Sequence, residues 1–537
     1  MAKKGYRRLS VLLVLVLSLT MVLAGCGTGT GGNAASQELN LNINTEPPAL
    51  TPTLATDTTS GTVLTHVMEG LTRYGEGGKT IPGIAESWDV SDDGMKYVFH
   101  LRDAKWSDGQ PVTAHDFEYA WKKLLDPNTA ADYAYQLFYL KNGEAYNEGN
   151  ASADDVGVKA LDDKTLEVQL ESPTPYFDSL TAFYPLFPIP KHVDETNPDW
   201  HKDAKTYVSN GPFLMEEWVH DSKIVLKKNP NYWAQNEVKL ATITMAMVND
   251  ENTEYQMYET GALDVATPPT DLTKKLIDEG KAKVEPYFGV YYLTFNTEDP
   301  IMKNANIRRA LSLAIDRQSL IDNILQGGQL PAMALVPPGA PGVKGDFREE
   351  QGDLFKDHDV EQAKKYLEAG LKELSLDKLP PIEYKYNTQA GHQKIAEAIQ
   401  QMWKNDLGIE TKLTNEEWKV YLDSLGQGNY QIGRMGWIGD YLDAMTFIDL
   451  FMTGGGNNYP KWSNAEYDAL IKEAKSTNDH DTRIKKMQEA EKLLIDEMPI
   501  APIYFYTTVY MEKPYVKGAW RNSFSSTDYS RAWIEGK

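Results

Sequence analysis

Polar and apolar positions alternate at period two through several short stretches and recur at helical spacing between them. Leu39 to Asn44 (Leu-Asn-Leu-Asn-Ile-Asn) alternates as a half-buried strand, and Lys96 to Arg102 does so around Tyr97, Phe99 and Leu101. Lys223–Leu226, Thr242–Val248, Val290–Phe295 and Ile503–Tyr510 read as further strands. Helices are expected over Gly61–Tyr74, over Ile307–Leu325 with Gly327-Gly328 as its stop, over Val360–Leu374 and over Asp481–Asp496. His392–Leu407 carries Ile395, Ile399 and Trp403 in register and meets Gly408. Glu254–Thr260 ends at Gly261, and a strand follows. Thr113 and Asp116 stand at capping-box spacing, Phe117, Trp121 and Leu124 share one helical face, and Asp126-Pro127 ends that helix. Strands interleaved with helices give an α/β class.

The N-terminus has a different pattern. A basic start (Lys3, Lys4, Arg7, Arg8) leads into an apolar run from Leu9 to Leu23. That run is shorter than the ~20 residues a spanning helix needs, so residues 1–25 read as an export signal. Gly27 to Ser36 is a flexible tether. It contains a formal G-x-G-x-x-G, but no strand precedes it and no helix follows, so the dinucleotide-binding context is missing. Gly78-Lys79-Thr80 lacks the glycine five positions upstream that a phosphate loop requires, since Arg73 stands there.

Composition narrows the function classes. The chain has 537 residues, 24% of them charged, and a formal net charge of −23. So acidic a protein repels phosphate backbones, which argues against a nucleic-acid partner. Its only cysteine is Cys26, so it can form no internal disulfide. There is no H-E-x-x-H, no G-x-S-x-G, and the nine histidines are scattered. An enzyme is therefore not expected, and neither a metal nor a cofactor is called for. An exported hydrolase built on a cryptic carboxylate pair is the alternative.

The candidate binding stretch is Tyr430 to Tyr441 (Tyr-Gln-Ile-Gly-Arg-Met-Gly-Trp-Ile-Gly-Asp-Tyr). It opens as a strand and then places Arg434, Trp437 and Asp440 among Gly433, Gly436 and Gly439. Glycine there admits close approach of another backbone. A carboxylate, a guanidinium and an indole so placed suit one small molecule bearing both an amine and a carboxylate. The competing reading is a buried turn whose Asp440 caps a helix over Tyr441–Leu450.

Ala85 to Trp121 (from Ala-Glu-Ser-Trp-Asp to Asp-Phe-Glu-Tyr-Ala-Trp) closely resembles the signature region of extracellular solute-binding proteins of the oligopeptide/dipeptide/nickel class, which serve ABC importers. The stretches Val208–Phe213, Lys228–Trp233 and Asn306–Leu311 resemble the same family. Leu23-Ala24-Gly25-Cys26 resembles a lipobox, which implies a lipid on Cys26 and a membrane-anchored, extracytoplasmic, monomeric receptor.

The resemblance implies a two-lobed α/β fold with three domains and a hinge. Domain I combines 38–68, 193–292 and 508–537, domain II is 69–192, and domain III is 293–507, after a lipidated tether at 26–37. It further implies an oligopeptide held by its backbone and termini and delivered to ABC-transporter permease subunits.

In that reading Asp440 receives the α-amine, Arg434, Gly436 and Ile438 line the peptide, and Trp437 walls a pocket. Arg434 and His392 are candidates for the terminal carboxylate. His392 stands in a helix first turn, where unpaired amides favour an anion. Trp418 matches a side-chain pocket. Tyr506 matches a cleft tyrosine, and Tyr504 shares its strand face, so both or neither should look inward. Tyr291 and Tyr292 fall on opposite faces of one strand. Tyr135 is a further candidate. The chain departs from the family at Ile438, where some relatives carry cysteine, and at Leu442-Asp443-Ala444 after Asp440-Tyr441. A dipeptide- or nickel-binding protein of the same fold is the alternative ligand class.

Overall fold

The architecture is carried by three sheets, described here from a computed structural model that covers residues 36–524 and 526–537. The export signal 1–25, Cys26 and most of the 26–37 tether lie outside the described residues. Among the described residues no helix is long and apolar enough to cross a membrane.

The first sheet orders Glu38–Asn42, Thr242–Ala246, Lys223–Lys228 and Phe213–Val219, its first pair parallel and the rest antiparallel. The second is antiparallel and runs Ala85–Val90, Lys96–Leu101, Thr165–Gln169, Val158–Asp162. Against it packs the helix Ala114–Leu125, whose Thr113/Asp116 capping box forms as expected. Phe117, Trp121 and Leu124 are fully buried, as their shared face requires.

The third sheet holds the candidate stretch. Two 13-residue strands, Lys283–Phe295 and Ile500–Glu512, pair antiparallel at its centre, with a register shift between Pro286 and Val290. Ile432–Ile438 joins the free side of Lys283–Phe295, then Ile382–Asn387 and Thr411–Glu416 follow in parallel. The core beneath includes Leu293, Phe295, Ile395, Ile399, Trp403 and Ile432, all at most 1% exposed. Gly408 closes the helix Ala390–Leu407 in the left-handed region (φ 68°), a conformation that costs glycine nothing.

Three expected elements differ. The helix expected over Gly61–Tyr74 spans Thr58–Val67, because Asp57 caps it three residues earlier through the Thr59 and Ser60 amides. Thr72–Tyr74 instead forms a strand with Thr80–Pro82. The helix expected over Ile307–Leu325 breaks after Leu313. Asp316 starts a new turn by accepting from the Ser319 amide, and the buried Arg317 then reaches Pro502 O (2.7 Å) and Asp357 (3.1 Å). No helix spans Tyr441–Leu450. A single turn at Met445–Ile448 stands there, followed by a 3₁₀ turn.

Candidate functional site

The strand Ile432–Ile438 is paired along one edge and mostly free along the other. On the paired side Arg434, Gly436 and Ile438 stand opposite Leu293, Tyr291 and Gly289. On the other side only Ile432 and Gly433 meet Ile382–Asn387. Gly439 N–H donates to Phe288 O, so antiparallel alternation turns the backbone groups of Arg434, Gly436 and Ile438 toward the free edge. The Arg434 carbonyl is taken by the Tyr421 hydroxyl (2.5 Å). Beyond it the edge borders a cavity of about 280 Å³, lined by residues 434–440 together with Asp57, Tyr133, Tyr184, Trp418 and Tyr506, among others.

Asp440 stands at one end of this edge and is 7% exposed. Its Oδ1 accepts from the Tyr133 hydroxyl (3.2 Å), and its Oδ2 accepts from Gln136 Nε2 (3.1 Å) and the Thr446 hydroxyl (3.3 Å). All three donors are neutral. Among the described residues no cation pairs with it. Burial pushes its carboxyl well above the usual range, against the Tyr133 hydrogen bond and with the nearby Asp449 charge adding to the rise. Its side chain caps no helix, so the competing reading of a capping Asp440 is not what the structure contains.

Arg434 stands at the other end, 9% exposed. Its guanidinium donates to Asn387 Oδ1 (3.1 Å) and to the Tyr506 hydroxyl (2.9 Å) and lies 4.7 Å from the Tyr291 ring centroid. Its Nε is buried without a partner, and no carboxylate pairs with it among the described residues. A buried charge without a counter-charge costs several kcal/mol. One cavity here holds two ionisable groups of opposite sign, neither with a counter-charge among the described residues.

The remaining expected site residues divide into those that reach the cavity and those that do not. Trp437 and Ile438 line it, and so does Gly436. A Cβ on Gly436 would lie 2.4 Å from the Tyr506 hydroxyl, so this close approach requires glycine. Trp418 lines it too, with its Nε1 donating to Asp57 Oδ2 at 2.9 Å. Tyr506 faces the cavity, but Tyr504 does not share its view. Tyr504 stacks on Tyr291 at 4.7 Å and does not line the cavity, so a common strand face did not mean common access.

Tyr291 itself is fully buried beneath Arg434, and Tyr292 packs on the far side of the sheet against Phe451. His392 lies behind the Tyr291 ring (5.6 Å) and away from the cavity lining. Burial and the Arg434 charge hold its pKa well below 6.5, so it stands as a neutral imidazole. Tyr135 lines a different cavity.

Several site residues were not singled out from the sequence. Tyr133 and Gln136 hold Asp440, Tyr74 donates to its carbonyl (3.0 Å), and Asp57 orients Trp418. The signal for Tyr133 was slight: it stands two positions from Tyr135, just before a short 3₁₀ turn without periodicity. No group of three His, Cys, Asp or Glu residues is placed to hold a metal among the described residues.

A profile of bacterial extracellular solute-binding proteins, family 5 middle region, matches residues 79–459. The chain belongs to this family. It is 48% identical to the oligopeptide-binding protein OppA of Bacillus subtilis over 485 residues, covering 88% of each chain. The solved structure of Listeria monocytogenes OppA bound to peptide superposes with a TM-score of 0.89 at 34% identity, covering 93% of this chain and 99% of that one. The unliganded open form of the murein tripeptide-binding protein MppA has the same 34% identity and covers 93% of this chain and 98% of that one, yet its TM-score is 0.61. This member of the solute-binding family therefore superposes more closely on the peptide-bound structure than on the unliganded open one.

Proposed function

We infer that this chain is an extracytoplasmic receptor that holds an oligopeptide in extended form and hands it to the permease of an ABC importer. The observation that carries this reading is the pair of buried ionisable groups of opposite sign, neither with a counter-charge, at the two ends of a free strand edge. Asp440 offers a carboxylate to the peptide α-amine, and Arg434 offers a planar fork suited to a carboxylate. Between them Gly436 and Ile438 present backbone donors and acceptors to the ligand main chain, which adds as a strand. Such contacts use groups that every peptide has, so side-chain identity counts for little. Arg434 and Asp440 lie six residue steps apart at ~3.3 Å each, so an extended peptide of about three to five residues spans the site once side-chain reach is subtracted.

In this reading Trp437 and Trp418 wall side-chain pockets and Tyr506 holds the Arg434 fork. His392, Tyr504, Tyr291 and Tyr292 act from behind the site. Domain I is formed by 38–68, 193–292 and 508–537, domain II by 69–192 and domain III by 293–507. The long strands Lys283–Phe295 and Ile500–Glu512 serve as the hinge, bending near the register shift. A lipid on Cys26 anchors the receptor to the membrane surface, and the chain works as a monomer without a cofactor.

The test is calorimetric titration of the purified protein, stripped of ligand by unfolding and refolding, with a mixed tetra- and pentapeptide pool. One saturating site per chain is the expected result. No heat from that pool, with binding of dipeptides or a nickel chelate instead, would replace the oligopeptide reading.

A further inference from the structure

The cavity between Asp440 and Arg434 is bounded differently at its two ends. The Asp440 end is sealed. Tyr133, Gln136 and Thr446, which donate to its carboxylate, are at most 3% exposed, and Tyr441 next to it is fully buried. At the Arg434 end the wall is incomplete. A further cavity of about 150 Å³ begins there and shares Thr58, Trp418 and Arg434 with the first. Arg434 stands on the boundary: one terminal nitrogen donates to Tyr506, which lines the first cavity, and the other to Asn387, which lines the second.

The second space has the chemistry of a mouth. Apart from Arg434 and Trp418, every residue that lines it is Asn, Thr or Gln, and no carboxylate does. Asn44, Thr58, Asn249 and Thr388 are exposed, so the space opens to solvent. The side-chain nitrogen of Asn387, the Gln389 amide and the Thr58 and Thr59 hydroxyls have no hydrogen-bond partner among the described residues. These groups include donors and acceptors and carry no charge, which suits a peptide main chain whatever its side chains.

Two hydrogen bonds tie the rim together. The Thr45 hydroxyl donates to Glu417 Oε1 (3.0 Å), and Asn249 Nδ2 donates to the Thr388 carbonyl (2.6 Å). Both are exposed to solvent, and a bond of this kind contributes only about 0.5–1.5 kcal/mol, so the rim parts at little cost.

Building on the peptide reading of Asp440 and Arg434, we propose that this mouth is the exit path for the C-terminal part of peptides longer than five residues. The α-amine is fixed on Asp440 against a sealed wall, so added length leaves past Arg434. There a main-chain carbonyl of the ligand takes the place of the terminal carboxylate on the guanidinium. The residues that follow lie among the uncharged amides and hydroxyls and run out between Thr45 and Asn249 on one rim and Thr388 and Glu417 on the other. Ligand length is thus limited at the amine end and not at the carboxylate end.

The test is calorimetric titration of the ligand-stripped protein with one tetrapeptide that binds it, the same tetrapeptide amidated, and two octapeptides that extend it by Gly-Ser-Gly-Ser at the C-terminus or at the N-terminus. The C-extended octapeptide should bind at least as tightly as the amidated tetrapeptide, since both offer Arg434 a neutral carbonyl and the mouth adds contacts. It should bind at least tenfold more tightly than the N-extended one. Asn249→Trp and Thr388→Trp, which fill the mouth from either rim, should each weaken the C-extended octapeptide at least threefold more than the tetrapeptide, whose binding also reports that the variant is folded. If no tetrapeptide binds, the peptide reading falls and the exit path with it. If a tetrapeptide binds, the exit path alone is overturned by a C-extended octapeptide weaker than the amidated tetrapeptide, by equal tolerance of both extensions, or by tryptophan variants that weaken both ligands alike.

Discussion

The Tyr133 hydroxyl sits 3.2 Å from Asp440 Oδ1, across 307 positions of the chain. With Gln136 it brings two neutral donors from residues 133–136 to a buried carboxylate that follows the Ile432–Ile438 strand. Neutral donors satisfy the oxygens without supplying a positive charge, which leaves Asp440 suited to a cation from the ligand. Truncating one partner of such a buried pair costs about 2–5 kcal/mol. Asp440→Ala is therefore expected to weaken peptide binding at least tenfold by calorimetry, and Tyr133→Phe to weaken it less, since Gln136 and Thr446 remain.

Proton release should accompany binding. Asp440 is raised well above its usual 3.8 when the site has no ligand, so between 3.8 and that raised value it holds a proton. An arriving ammonium favours the carboxylate, and the proton leaves. Affinity should accordingly rise with pH through this window. Titrations near pH 5 in two buffers of different ionisation enthalpy should show net release in the unaltered protein and none in Asp440→Asn. The same raised pKa means that Asp440 stabilises the unliganded fold most below 3.8, and this contribution is lost as pH rises through the folded value.

Arg434 sets the other end. Hydrogen bonds to charged groups are worth about 1.5–3 kcal/mol, so removing the terminal carboxylate or the fork should cost roughly 10- to 100-fold in affinity. Amidated peptides should bind the unaltered protein correspondingly less tightly. In Arg434→Met the free and amidated peptides should bind alike. A persistent preference for the free carboxylate in that variant would move the anionic subsite elsewhere.

His392 predicts an acid sensitivity that has nothing to do with ligand. Its pKa is depressed by burial and by Arg434, so the folded chain keeps the ring neutral while the unfolded chain takes a proton below 6.5. Stability present above pH 6.5 is then lost as pH falls from 6.5 toward the folded value, by up to about 1.4 kcal/mol per pH unit for one proton. In urea unfolding, His392→Gln should gain on the unaltered protein between pH 6.5 and 5.5. A constant difference between the two would show that the ring is free to protonate in the fold.

The strands and long helices were legible because their periodicity is driven by burial: the Ile395, Ile399 and Trp403 face and the Thr113/Asp116 box fold as their spacing implies. Local side-chain bonds overrode periodicity at Asp57 and Asp316, where a carboxylate starts a helix at a place the apolar pattern does not mark. At the site, Asp440, Arg434, Gly436, Trp437 and Trp418 were visible because they cluster on one strand or resemble a family motif. Tyr133, Gln136 and Asp57 were not, since each reaches the site from a distant segment and only the folded chain brings it there. Period two separated Tyr291 from Tyr292, but it could not tell that Tyr504, stacked on Tyr291, stays out of the cavity lining while Tyr506 enters it.

A peptide that enters with its α-amine on Asp440 loses that contact when the amine is acetylated. The most direct measurement is a paired calorimetric titration of the ligand-stripped protein with a tetra- and pentapeptide pool and with the same pool N-acetylated. Binding of the free pool, weakened at least tenfold on acetylation, is the predicted result. Equal binding of both pools would contradict the amine site while leaving a peptide receptor, and binding of neither would remove the peptide function itself.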